Sequence, residues 1–235
     1  MARMDRMKWL LWLVVMASMA AHAQSAATVD VRMHLAIPHQ AHQVAPPAVL
    51  WLKSFEQTSS PPMVTQGRYT LLQKNRMFTP HLLVVPVGSI VTFPNADPFF
   101  HNVFSLFDGK RFDLGLYEAG SAKEVTFSRE GVSYIFCNIH PEMSAVVLAL
   151  STSFYSIADA NGAFRLRNIP AGDYELHVWI EGVPEPVLEK ATRRVHLAPD
   201  TGDLGAVDLP GIGQRPQSHT NKFGQTYDKE PKQTY

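Results

Sequence analysis

From Thr28 to Leu35 the chain alternates: Val29, Val31, Met33 and Leu35 are apolar, and Asp30, Arg32 and His34 between them are polar. A period of two puts the two sets on opposite faces and predicts a half-buried strand. Ala48-Val49-Leu50-Trp51-Leu52 predicts a second strand, reached through a turn-rich loop from Ile37 to Pro47. Ser54 to Gln66, with Ser59-Ser60-Pro61-Pro62, reads as a linker. Tyr69, Leu71 and Leu72 suggest the next strand, and Phe78-Thr79-Pro80-His81 a turn. Leu82 to Val87 is apolar without alternation, as in a strand covered on both faces. Gly88-Ser89 turns the chain into Ile90 to Phe93, and Asp108-Gly109-Lys110 is a hairpin signal. Val125 and Phe127, then Val132, Tyr134 and Phe136, alternate again, and Ala145 to Leu150 is a closing apolar strand. After Ser151 come an Asn161-Gly162 turn, a turn at Ile169 to Tyr174, and Tyr174, Leu176, Val178 and Ile180 alternating with Glu175, His177 and Trp179. From Gly211 to Tyr235 the chain is polar with almost no apolar periodicity, which predicts a disordered tail over 211–235.

Short strands, frequent Pro and Gly, and few helix-period stretches give an all-β protein. The ends of the chain change that picture little. Arg3, Arg6 and Lys8 precede an apolar run from Trp9 to Ala20, followed by Ala21-His22-Ala23. That is the pattern of a cleaved export signal over residues 1–23. The run falls short of the ~20 apolar residues that span a bilayer, so no stable membrane insertion is expected after removal. Removing Arg3, Arg6, Lys8 and Asp5 from 21 basic and 21 acidic residues leaves a formal net charge of −2. No basic field exists for nucleic acid. The expected compartment is the periplasm or another extracytoplasmic space.

The chemistry concentrates in Cys137-Asn138-Ile139-His140-Pro141-Glu142-Met143 and in His101, within Asp97-Pro98-Phe99-Phe100-His101-Asn102. Cys137 is the only cysteine, so no intramolecular disulfide can form. A thiolate and two imidazoles in a trigonal set with a weak axial thioether describe a blue-copper centre. Other readings stand beside it. A lone cysteine is commonly a small buried hydrophobe, Met143 after an apolar strand can be core, and zinc accepts Cys and His. The copper reading requires a fold that brings His101 beside the loop. His39 and His42 are read as solvated loop residues, and His81, His177 and His196 as surface or turn residues.

Val91-Thr92-Phe93-Pro94-Asn95 with His101-Asn102-Val103, Gly131 to Cys137, and the Cys-x-x-His-Pro-x-Met loop together resemble the cupredoxins, in particular the amicyanin and plastocyanin branch. The resemblance covers about Arg68 to Leu150 and implies a Greek-key β-sandwich over 68–150. It also implies one type 1 copper held by His101, Cys137, His140 and Met143. By the same resemblance Asn102 ties the histidine strand to the cysteine loop through its side chain. His140 has an exposed edge in an apolar electron port, with Pro141, Phe99 and Phe100 as candidates. The resemblance further implies that His140 can leave the reduced metal and take a proton. Phe112 to Tyr117 has no counterpart in that branch and no expected role beyond packing.

Asp159-Ala160-Asn161-Gly162-Ala163-Phe164 and Pro170-Ala171-Gly172-Asp173-Tyr174 resemble the carboxypeptidase regulatory-like, or transthyretin-like, β-sandwich. Its remaining strands are expected from 28–53, which makes 28–53 with 151–210 a discontinuous second sandwich around an inserted copper domain. The expected function is single-electron transfer with a cytochrome c or a periplasmic dehydrogenase. Copper delivery and a β-sandwich interaction module are the alternatives. No enzyme is expected, because four side chains close the coordination sphere.

Overall fold

The computed structural model describes residues 27–36, 44–55, 65–106, 109–210, 212 and 221–225. The expected export signal, His39, His42, most of the expected linker, Asp108 and most of the expected tail lie outside the described residues. The chain is all-β. Its strands are β1 (Thr28–Leu35), β2 (Ala48–Ser54), β3 (Arg68–Thr70), β4 (Leu72–Lys74), β5 (Met77–Thr79), β6 (Leu82–Pro86), β7 (Ile90–Pro94), β8 (His101–Ser105) and β9 (Phe112–Tyr117). They continue as β10 (Ala122–Thr126), β11 (Gly131–Phe136), β12 (Ser144–Leu150), β13 (Tyr155–Ile157), β14 (Ala163–Pro170), β15 (Gly172–Ile180), β16 (Arg193–Leu197) and β17 (Asp203–Val207). A short helix α1 (Glu185–Leu188) runs into a 3₁₀ turn before β16.

β1 buries Val29, Val31, Met33 and Leu35 and exposes the residues between them, as its alternation dictates. It lies between β14, antiparallel, and β17, parallel. β2 pairs with β13 and β15 in the sheet β13-β2-β15-β16. Side chains from both sheets share one core, including Leu50, Leu52, Phe164, Leu166, Leu176 and Val178. His177 differs from its expected surface position: it is half-buried, with its ring stacked 5.2 Å from Trp51 on the same sheet.

Residues 68–150 form the sheets β10-β7-β3 and β6-β12-β11-β8-β9. The expected strand around Tyr69 to Leu72 is broken into β3 and β4. β3 pairs with β7, whereas β4 closes a separate hairpin with β5. Asn75 and Arg76 make that turn at φ 56° each. Leu71, Phe78, Val91, Phe93, Val103, Phe127 and Ile135 fill the core between the layers, and Cys137 and Met143 belong to it.

β12 connects the two halves. Ala145, Val147 and Ala149 point into the core that holds Cys137, while Val146, Leu148 and Leu150 point into the core of β1, β2, β14 and β15. β6 beside it divides in the same way, Val85 to one core and Val84 to the other. Two buried faces explain why neither strand carries a polar alternation.

Candidate metal centre

His101 opens β8, and the loop that delivers it is built on Asn95. The Asn95 side-chain amide donates to the Phe99 carbonyl at 2.8 Å, and its oxygen accepts the Asp97 N–H at 3.0 Å. The loop is further held by Tyr117, whose hydroxyl donates to the Phe93 carbonyl at 3.0 Å and accepts from the Gln73 amide. Burial of this phenol pushes its pKa above the ordinary value. Asp97 itself is buried, and its carboxylate accepts three bonds: from the backbone N–H groups of Asn75 (2.6 Å) and Arg76 (3.0 Å), and from His101 Nε2 (2.8 Å). Burial works against the carboxylate charge, but the Arg76, His101 and Asn75 bonds outweigh it, and its pKa is lowered. The geometry fixes a proton on His101 Nε2 and leaves Nδ1 to face Cys137, the arrangement of an oriented metal ligand. Sequence reasoning assigned Asp97 no role; the available signal was a carboxylate four positions before a candidate ligand.

Cys137 leaves β11 into a loop that folds back on itself. The Cys137 N–H donates to the Met143 carbonyl (3.2 Å) and the Met143 N–H to the His140 carbonyl (3.0 Å). The segment 137–143, seven residues long, is thereby closed by two backbone hydrogen bonds. His101 Nδ1, Cys137 Sγ and His140 Nδ1 converge: the two nitrogens are 3.1 Å apart, and the sulfur is 3.8 Å from the first and 3.6 Å from the second. These three residues are the metal-capable group among the described residues, with all donor atoms within 4.8 Å of one another. A point equidistant from the three atoms lies about 2.0 Å from each, the length of a metal–imidazole bond. The residues therefore fit a single ion. Met143 is fully buried in the core that includes Cys137.

The electrostatics suit a cation. Burial raises the Cys137 thiol, but contact with His101 and the backbone N–H groups of Asn102, Ile139 and His140 outweigh it, so its pKa lies below the ordinary thiol value. A thiolate is the ligating form. Burial lowers the His101 imidazole, and its bonds to Cys137 and Asp97 raise it by more.

Asn102 acts differently from the expectation. Its side-chain amide donates to Asp113 Oδ1 at 2.7 Å, toward β9, and its buried Oδ1 has no partner among the described residues. Its link to the cysteine is the backbone N–H that lowers the thiol pKa. The reason is position: with β9 paired alongside β8, the Asp113 carboxylate lies within reach. Phe112 to Tyr117 thus does more than pack, since it supplies both Asp113 and Tyr117.

Six residues of the expected tail, 212 and 221–225, are among the described residues. Ile212 is buried in the core of β1 and β15, and 221–225 contacts the metal loop through Lys222 and Asn138. Polar bonds hold that segment, which a search for apolar periodicity cannot register. Of the candidate port residues, Phe99 lies against both imidazoles and Pro141 directly follows His140. Phe99 lies 5.2 Å from the His101 ring and 5.5 Å from the His140 ring, while Phe100, Pro141 and Ile139 are exposed. A cavity of about 540 Å³ lies elsewhere, between β2, β15 and β11, lined by Trp51, Tyr134, His177 and Trp179, and contains none of the candidate ligands.

No family model matches the chain, and no curated protein matches it. Similar solved structures are cupredoxins. A purple cupredoxin from Nitrosopumilus maritimus is 27% identical over 36% of this chain and 100% of its own, with a TM-score of 0.32. A reduced tryptophan-to-tyrosine mutant of amicyanin is 23% identical over 40% of this chain and 95% of its own, with a TM-score of 0.34. A copper-containing nitrite reductase from Thermus scotoductus SA-01 is 25% identical over 35% of this chain, with a TM-score of 0.34; the chain spans 22% of that protein's length. Among the described residues, no helix is long and apolar enough to cross a membrane.

Proposed function

We propose that this chain is an exported type 1 copper protein that passes single electrons between redox proteins, such as a cytochrome c or a periplasmic dehydrogenase. The observation that carries the reading is the convergence of His101 Nδ1, His140 Nδ1 and Cys137 Sγ from segments 36 and 39 positions apart in sequence. In this reading His101, Cys137 and His140 hold the ion and Met143 is its weak axial ligand. Copper in such a site supplies a one-electron couple between Cu(II) and Cu(I). Asp97 fixes the His101 ring, and the backbone N–H groups of Asn102, Ile139 and His140 stabilise negative charge on sulfur. Phe99, Phe100 and Pro141 form the port around His140. Four side-chain donors leave no open position for substrate, so the protein is read as a carrier and not as an enzyme.

The reading divides the chain into a copper unit, 68–150, and a second sandwich made of 28–53 with 151–210. The pairing of β1 with β14 and β17, and of β2 with β13 and β15, supports that division. The test is an optical and electron-spin-resonance spectrum of the copper-loaded protein. The expected result is an intense visible band with reversible one-electron reduction, both abolished by Cys137→Ser. A colourless wild type after copper loading overturns the reading.

A further inference from the structure

We propose that Lys222 is a positioning residue of the metal site, and that segment 221–225 is a clasp joining the cysteine loop to the histidine hairpin across their outer side. The proposal rests on the copper reading, since it concerns the same donors. The segment holds its own shape. Asn221 Oδ1 accepts from the N–H groups of Phe223 and Gln225 at 3.0 Å each, and the Asn221 N–H donates to the Gln225 carbonyl at 2.8 Å. Gly224 closes this turn at φ +77°, in the left-handed region that glycine enters freely.

Lys222 makes two bonds to different parts of the site. Its backbone N–H donates to Asn138 Oδ1 at 3.0 Å, across 84 positions of sequence, and its Nζ donates to Asp113 Oδ2 at 2.7 Å. The other Asp113 oxygen accepts from the Asn102 amide (2.7 Å) and the Gly115 N–H (2.9 Å). Asn138 directly follows Cys137 and Asn102 directly follows His101. The connections therefore form a circuit: Cys137, Asn138, Lys222, Asp113, Asn102, His101, closed on the inside by the Cys137–His101 contact at 3.8 Å. One residue from far down the chain thus spans the two segments that hold the donors.

The chemistry at Asp113 asks for a cation. That carboxylate already accepts two N–H bonds, and the ammonium completes its second oxygen. The pair is partly solvated, with side chains 27% and 40% exposed, so salt screens it and the clasp can open. Its effect falls on the mobility of the two donor segments more than on global stability.

The test uses the full chain with Lys222→Ala, Lys222→Arg and Asn138→Ala, read by amide hydrogen exchange of the metal-free protein. The expected result is about three- to tenfold faster exchange over 138–143 and 102–116 in Lys222→Ala, with β12 unchanged. Lys222→Arg restores protection, because it returns the cation to Asp113, while the backbone N–H to Asn138 is common to all three residues. High salt moves the wild type toward Lys222→Ala, and adding Asn138→Ala to Lys222→Ala produces less than the product of the two single effects. In the copper-loaded protein, release of Cu(I) to a chelator accelerates by a similar factor, about three- to tenfold. Wild-type exchange over both segments in Lys222→Ala overturns the clasp. A wild type that takes up no copper overturns the copper reading instead, and hydrogen exchange still decides the clasp.

Discussion

Asp97 shows how much one side chain can set. It sits on the far side of His101 from the sulfur and gathers the Asn75 and Arg76 N–H groups, so the tip of the β4–β5 hairpin is tied to the ring of a candidate ligand. Replacing it by Asn keeps the volume but exchanges a charged acceptor for a neutral amide, which weakens the bond that holds the Nε2 proton in place. Outer-shell bonds of this kind are worth about ten- to a hundredfold in metal affinity. Asp97→Asn is therefore expected to lower copper affinity by about tenfold or more, with the fold retained, as measured by competition with a chelator of known affinity. An affinity equal to wild type would mean that the ring is oriented by packing against Phe99 alone.

At the scale of elements, β12 decides the most. Its two residue sets serve different cores, so substitutions one position apart should separate stability from the metal site. Leu148 is fully buried in the core of β1, β2 and β15, and Leu148→Ala is expected to cost about 2–5 kcal/mol of unfolding free energy. Val147 faces the core that contains Cys137 and Met143, so only its replacement should also alter the copper spectrum. Denaturant unfolding with the visible band recorded in parallel distinguishes the two. The same strand marks what sequence could and could not reveal. The unbroken apolar run at 82–87 announced two covered faces, the alternation of 29–35 announced one, and 145–150 read only as a closing strand although it too is covered on both faces. The Cys-x-x-His-x-x-Met spacing and the distant His101 marked the three donors that converge. Asp97, Asp113 and Lys222 stayed hidden, because their roles come from hydrogen bonds between segments and polar residues in loops carry no periodicity. The break between β3 and β4 was hidden for a related reason: Leu71 is buried between them, so the apolar pattern runs on where the pairing changes partners.

For the whole molecule, the question is what holds the copper unit against the other sheets. The shared faces of β6 and β12 supply the apolar part, and the Trp179 indole N–H donating to Tyr134 Oη at 3.3 Å adds a polar contact. The pH-sensitive part is His81. Its Nε2 lies 2.7 Å from Glu181 Oε1, just past β15, and its Nδ1 lies 3.2 Å from the Ser144 carbonyl at the start of β12. Both neighbours are acceptors, so the ring satisfies both only when each nitrogen carries a proton. The hydrogen bond to Glu181 is the main cause of a pKa raised above 6.5; burial opposes it, and the Glu181 charge and the Ser144 carbonyl add to it. A folded-state value above the unfolded one means the pair contributes fully below about pH 6.5, where His81 is protonated in both states, and fades as pH rises through the folded value. With His81 42% exposed, solvent screening holds the contribution to about 1 kcal/mol or less. Wild type should therefore exceed His81→Gln in unfolding free energy at about pH 6 and lose that margin as pH rises through the folded-state value. Paired denaturant titrations of the two proteins across that range measure it. A margin that stayed constant would assign His81 to packing, and one that grew with pH would require the neutral ring to be the favoured partner of Glu181.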